Sequence, residues 1–337
     1  MPPCRLVDLP LWTFITNFVV PMKKILTIII SLCTMLCSAQ TYCRVASTRQ
    51  ITNSDGYFPQ INYQGTQVLY SDTEARYLYL YDLQSGERTT VSSQGMPGFE
   101  GRFAPDGKVY YITMAVNPDH LIFRTGHEYD PATGHDRVIL SAQHGAVHAI
   151  NGSKDLAVVG ESKQWHLREA GVVAWTLGPK LYVSRGGTIN VYTPVRNCAG
   201  YLWASVSPDG KKVLFEAVGK GLYVCDAATG EVMAHSTTSF MMPCWFNNDY
   251  IVGQTKSYRI VLIPADCSGQ QTLASGSCTM PMVAGKNIIY TTKGGAVRLI
   301  SIILKGEEGY DESQATTPPQ SSTRNNNSDD ESQDHDQ

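Results

Sequence analysis

Six histidines, His120, His127, His135, His144, His148 and His166, fall in one stretch of the chain, with Glu128, Asp130 and Asp136 among them. Imidazoles and carboxylates bind transition metals and move protons near neutral pH, so a metal centre or an acid/base pair would be sought here. The spacing argues otherwise. No His-x-x-x-His pair lies on a helical pattern, and His144 and His148 share a strand face only if the strand runs regularly through Gly145. His135 takes the place held by Glu87 and Glu231 in two similar turns, which makes it a solvated turn residue. Asn53-Ser54-Asp55-Gly56 and Asn117-Pro118-Asp119 offer oxygen ligands, but neither continues into the acidic spacing of a calcium loop, so both read as turns. Neither a Gly-x-Ser-x-Gly elbow nor a Gly-rich phosphate loop occurs. The sequence therefore assigns no catalytic, cofactor-binding or metal-ligating residue and implies no cofactor.

Trp165, Trp175, Trp203 and Trp245, with eighteen tyrosines, could line a carbohydrate platform, yet aromatic residues at strand positions usually pack. Phe58 and Trp203 stand at matching places, three residues before Ile61 and Val206, and are expected in the core. Trp165 lies in an irregular stretch and is the tryptophan left for a surface role. Six cysteines follow residue 40, namely Cys43, Cys198, Cys225, Cys244, Cys267 and Cys278. None forms a C-x-x-C pair, which disfavours zinc, while disulfides and buried free thiols both stay open.

The elements that must carry these side chains announce themselves by repetition. Phe103-Ala104-Pro105-Asp106-Gly107-Lys108 returns as Val206-Ser207-Pro208-Asp209-Gly210-Lys211, and each copy leads into an alternating apolar segment. A second phrase, Asp-x-x-Ser/Thr-Gly, recurs at Asp82 to Gly86, Asp130 to Gly134 and Asp226 to Gly230. Proline presets φ, aspartate accepts a nearby backbone N–H and glycine takes the left-handed conformation, so each phrase is a hairpin turn. First-turn positions at Gly65, Gly107, Gly152, Gly210, Asn248 and Gly285 give six modules. The second-turn phrase is missing between Gly134 and Gly230, where Gly186-Gly187 is its expected replacement. Pro59, Pro243 and Pro281 each stand two residues before an apolar position, as at a strand edge that needs no ladder donor. Period-two alternation such as Leu78 and Leu80 against Tyr77, Tyr79 and Tyr81 dominates. Repeated antiparallel sheets hide their apolar faces best by radial closure, so the expected fold is all-β: a six-bladed β-propeller of four-stranded antiparallel blades, with Ala146 to Cys198 long enough to hide a seventh.

The Ser/Ala-Pro-Asp-Gly-Lys turn, the strand after it and the Asp-x-x-Thr-Gly-Glu turn resemble the TolB-like propeller family and its WD40-like repeat. The resemblance covers residues 57 to 304. It implies the fold and a protein-binding role in the cell envelope. The α/β domain that precedes the propeller in TolB has no counterpart here, because few residues separate the expected cleavage site from the first blade.

Met22-Lys23-Lys24 followed by Ile25 to Leu36 and by Cys37-Ser38-Ala39 has the form of a cleavable signal peptide. Residues 1–39 are thus an upstream extension plus signal peptide, with the signal at 22–39, residues 40–305 the propeller, and 306–337 a disordered acidic tail of net charge −8. The propeller retains about +3, too little for a nucleic-acid face. The expected protein is periplasmic or secreted, monomeric and without a membrane span once the signal is removed. Its expected function is that of a non-enzymatic scaffold binding envelope proteins through loops at one end of the channel. Two alternatives stand beside it: a carbohydrate-active or metal-dependent lyase-like enzyme using the histidines of blades 2 and 3, and a sensor holding a small ligand in the channel.

Overall fold

The computed structural model describes residues 41–99, 101–145, 156–158 and 165–314. The alternating segments become strands, and each turn phrase becomes the hairpin that joins two of them. Blade 1 is β2 to β5 (Tyr57–Ile61, Gln67–Ser71, Leu78–Asp82, Arg88–Ser92). Blade 2 is β6 to β9 (Arg102–Phe103, Val109–Val116, Ile122–Asp130, His135–His144). Blade 4 is β15 to β18 (Tyr201–Val206, Lys212–Ala217, Gly221–Asp226, Val232–Ser236), and blade 5 is β19 to β22 (Phe240–Trp245, Tyr250–Thr255, Ile260–Pro264, Gln271–Ala274). Each is a four-stranded antiparallel meander, as expected. Blade 3 departs from the pattern. A ribbon of β10 and β11 (Leu156–Val158, Trp165–Leu167) meets a sheet of β12 to β14 (Val172–Leu177, Lys180–Arg185, Thr188–Tyr192) through a single bridge, Glu169 to Val172. Its first turn falls at Ala170-Gly171, both at positive φ, whereas the expected Gly152 lies outside the described residues. Gly186-Gly187 forms the replacement turn between β13 and β14, with φ of 56° and 83°.

Blade 6 closes the ring with both ends of the domain. Its sheet runs β1-β25-β24-β23, so β1 (Cys43–Gln50) pairs antiparallel with β25 (Val297–Leu304), outside β24 (Asn287–Thr292) and β23 (Cys278–Ala284). Six blades thus form one closed disc, and no α-helix occurs among the described residues. No helix there is long and apolar enough to cross a membrane.

The core lies between blades. Leu69 and Leu80 meet Val109 and Tyr111 between blades 1 and 2; Val183 and Leu181 meet Val213 and Phe215 between blades 3 and 4; Ile260 and Leu262 meet Ile288 and Ile300 between blades 5 and 6. Trp175 is buried and stacks on Tyr182 with centroids 5.2 Å apart, as a packing tryptophan should.

Phe58 and Trp203 correct the expectation that both are core. Inner strands of blades 1, 4, 5 and 6 each carry a bulge, with Phe58, Trp203, Met242 and Met280 at φ of 48–56°. The extra residue reverses the side-chain alternation at that point. Trp203 is consequently 39% exposed, and Phe58 lies against the Arg102 guanidinium 4.6 Å from its ring centroid. Pro59, Pro243 and Pro281 follow the bulge residues on the free, channel-facing edge, where no N–H is required.

Equivalent polar side chains link neighbouring blades. Gln254 on β20 accepts the Met280 N–H at 3.1 Å, and Glu216 on β16 accepts the Phe240 N–H at 3.3 Å. Burial pushes the Glu216 carboxyl above the usual carboxylate range, and the hydrogen bonds from Ser239 and Phe240 only partly offset it. An acid whose folded pKa is raised costs stability as pH climbs from its unfolded value through the folded one. Glu216→Gln keeps the acceptor and removes that cost. It should stabilise the fold at pH 7 and do nothing near pH 4, read from urea unfolding at the two pH values.

Candidate functional site

The turns fix which end of the disc each side chain reaches. First-to-second and third-to-fourth strand turns share the lower face; second-to-third turns and blade-to-blade connections share the upper face. Asp82 Oδ1 accepts the N–H groups of Gln84 and Ser85 at 2.9 and 2.7 Å, and Asp226 does the same for Ala228 and Thr229 at 2.8 Å each. Asp106 and Asp209 accept from Lys108 and Lys211, both at 3.1 Å. These aspartates hold the lower-face turns; backbone N–H donors keep Asp82 and Asp226 below the ordinary carboxylate range, and the Ser207 hydroxyl, 2.7 Å away, does most to lower Asp209, in each case despite opposing desolvation.

The described histidines do not converge. His120 is exposed at the tip of the β7–β8 hairpin, and His135 is exposed in its turn. His127 lies mid-strand, its ring stacked on Tyr111 at 4.7 Å, Nε2 2.9 Å from Thr113 Oγ1 and Nδ1 3.4 Å from Asp136 Oδ2. Asp136 also accepts the Tyr111 hydroxyl at 2.8 Å. His144 ends β9, with Nδ1 3.1 Å from the Ile122 carbonyl. His166 sits in blade 3, where burial pushes its imidazole down to about 4. His148 lies outside the described residues, as does the side chain of Trp165. Glu128 is buried and gathers Lys108 Nζ at 2.9 Å, the Tyr110 hydroxyl at 3.0 Å and Arg137 Nε at 2.9 Å, a structural ion cluster. Burial alone would raise its carboxyl, but these donors outweigh it and bring the pKa down. Asp130 holds its turn through the Ala132 N–H. No grouping of three or more potential metal ligands occurs among the described residues.

Asp55 accepts the Thr73 hydroxyl at 2.7 Å and Asn117 accepts the Leu121 N–H at 2.8 Å, so both oxygen-rich stretches serve as turns. All six cysteines after residue 40 are free. Burial raises Cys43, Cys225 and Cys244 to about 12, and Cys267 and Cys278 to about 11, which leaves them as thiols at neutral pH.

A cavity of about 480 Å³ fills the channel toward the lower face. Phe58, Trp245, Phe246 and Met282 supply apolar wall, and Arg102 and Glu169 are its charged groups. Trp245 Nε1 donates to the Ser205 carbonyl at 3.0 Å, which fixes one wall to the neighbouring blade.

The upper face holds what the sequence did not single out. Tyr57, Tyr77, Phe99, Met241 and Tyr258 lie on its connections or at its strand ends, Trp203 stands at the bulge just inside the upper end of β15, and all are more than a third exposed. Val116, Leu121 and Ile122 add the overhanging β7–β8 hairpin tip. Of the other large exposed apolar residues among those described, Met96, Leu177, Leu202 and Val218 also lie on upper-face connections or near upper strand ends, Tyr63 is on the lower face, and Val138, Ile189, Val191 and Met233 are on outer strands. A turn-by-turn alignment of second-to-third connections was the signal that could have found this asymmetry.

No family model matches the sequence, and no curated protein does. Among solved structures the chain is similar to TolB from Acinetobacter baumannii, at 16% identity over 77% of this chain and 63% of that one, with a TM-score of 0.39. It is similar to a catalytically inactive virginiamycin B lyase from Staphylococcus aureus with quinupristin, at 12% identity over 76% and 99% of the two chains and a TM-score of 0.44. It is also similar to the WD40 β-propeller domain of Doa1, at 11% identity over 77% and 97%, with a TM-score of 0.48. Likeness at this level bears on neither activity nor partner. The strand pairing carries the conclusion instead: the chain is a closed, all-β, six-bladed propeller whose exposed apolar side chains gather on one face.

Proposed function

We propose that this chain is an exported, non-enzymatic propeller of the TolB-like kind that works as a protein-interaction scaffold in the periplasm or cell envelope, and that its working surface is the upper face. The gathering of Tyr57, Tyr77, Phe99, Trp203, Met241 and Tyr258 there supports the reading most. Apolar side chains left together in water are costly to solubility and typically mark a surface that a partner covers. Large, stiff aromatic residues also lose little entropy when buried by a partner. The export part rests on Met22 to Ala39 and its signal-peptide form. The enzymatic alternative depended on histidines meeting at a channel mouth, and the described ones are spread along blades 2 and 3.

The test is affinity capture of the tagged full chain from envelope fractions. Trp203→Ser, Met241→Ser and Tyr258→Ser combined should reduce specifically captured proteins at least about tenfold, while Ile189→Ser with Val191→Ser on the rim should change nothing. Equal capture by both variants, or absence of the chain from the envelope fraction, would overturn the reading.

A further inference from the structure

Blades 5 and 6 carry the same upper-face turn with different contents. In Thr255-Lys256-Ser257-Tyr258-Arg259 the Tyr258 N–H donates to the Thr255 carbonyl at 2.9 Å and the Arg259 N–H to Thr255 Oγ1 at 3.1 Å. In Thr292-Lys293-Gly294-Gly295-Ala296 the Gly295 N–H reaches the Thr292 carbonyl at 2.8 Å and the Ala296 N–H reaches Thr292 Oγ1 at 3.2 Å. The left-handed position, φ 56° in one and 78° in the other, is glycine in blade 6 and tyrosine in blade 5. A side chain at such a φ costs on the order of 1 kcal/mol relative to glycine. Folding does not ask for Tyr258, and the residue is 51% exposed.

The charge around it is one-sided. Arg196, Lys220, Lys256, Arg259 and Lys293 all stand on upper-face connections of blades 4 to 6. None forms an ion pair among the described residues; at the opposite end of the strands Lys108, Arg137, Lys211, Lys286 and Lys305 do, while Arg185 and Lys212 there donate to backbone carbonyls instead. Lys220 instead donates to the Arg196 carbonyl at 2.7 Å, which brings two of these connections together. Of the described carboxylates of the upper face, Asp72, Glu74 and Asp119 belong to blades 1 and 2; Asp55 stands on the connection from blade 6 to blade 1, its backbone against Gly295 and its carboxylate turned to Thr73, and Glu216, which feels the Lys256 charge, is buried below the sector. Trp203, Met241 and Val218 lie among the cations.

Resting on the scaffold reading, we infer that the blade 4–6 sector of the upper face binds an acidic polypeptide segment that also carries apolar side chains. Unpaired cations around exposed aromatic and thioether groups complement such a segment in both charge and apolarity. An anionic lipid surface fits less well, because a flat membrane would also press on the carboxylates of blades 1 and 2.

Selection of displayed random peptides of about a dozen residues against the purified full chain tests this. Enriched sequences should be net acidic with at least one aromatic or aliphatic residue, and raising salt from about 50 to 300 mM should weaken them several-fold. Tyr258→Gly with Arg259→Ala grafts the blade 6 turn onto blade 5, should leave the unfolding midpoint unchanged or higher, and should weaken binding at least about tenfold. Lys256→Glu with Lys293→Glu should do the same. Enrichment without acidic bias, insensitivity to both variants, or preference for anionic vesicles over every peptide would overturn the inference. Non-acidic peptides that still require Trp203 and Met241 would sink the charge inference alone and leave the scaffold reading in place.

Discussion

Removal of Thr41 to Gln50 leaves a chain with no cooperative unfolding transition, a loss of at least about 5 kcal/mol. β1 pairs with β25 along nearly its whole length, from Cys43 opposite Leu304 to Gln50 opposite Arg298. Gln271 grips its start, accepting the Tyr42 and Cys43 N–H groups at 2.6 and 3.0 Å and donating to the Cys43 carbonyl at 2.8 Å. Arg49 crosses to blade 1, where it donates to the Leu83 carbonyl and, at 3.3 Å, to the Tyr81 hydroxyl. The Tyr42 carbonyl accepts the Lys305 N–H at 2.7 Å, so both ends of the domain are fastened at one place. Without β1, β25 becomes a long unpaired apolar edge, which also favours aggregation. Urea unfolding followed by tryptophan fluorescence checks this; a deletion variant with the parent midpoint would refute the latch.

Gly221→Ala is expected to cost about 3 kcal/mol or more, read as a fall in the urea midpoint. Gly221 opens β17 at φ 103°, and a Cβ there would run into the Ser236 carbonyl oxygen and stand 2.8 Å from the Thr237 carbonyl carbon. Those atoms are backbone of the neighbouring strand and connection, so relief requires β17 and β18 to separate. Gly219→Ala is the control. Its φ of 75° carries the same kind of backbone strain, but nothing lies within 4 Å of the added carbon, so about 1 kcal/mol is expected. Equal effects at the two positions would show that close approach between strands is not what selects Gly221.

The blades were legible because their turns need particular residues. Asp82, Asp226 and Gly210 do in the structure what their types require, and counting them gave six modules. The latch was not legible. Only Cys43 of β1 is fully buried and the strand ends in five exposed residues, so it lacks the alternation that marks a strand. Phe58 and Trp203 misled because an inserted residue reverses facing without altering composition. In blade 3 the first turn uses Ala170-Gly171 in place of a proline-aspartate phrase, and alignment by turn residues slid past it. The upper face escaped notice for a related reason: Tyr258 and Arg259 sit in a turn whose pattern, seen in blade 6 with glycine and alanine, is ordinary. Only the comparison of the two turns separates what the fold needs from what it tolerates.

Hydrogen–deuterium exchange on the intact chain tests ring closure, on which both the latch and the working face depend. Amides of Cys43 to Gln50 that pair with β25 should exchange as slowly as those of β24 and β25, and all three strands should be released together in one global opening. Exchange of β1 within seconds while β24 and β25 stay protected would mean that the disc is not closed by its N-terminal strand.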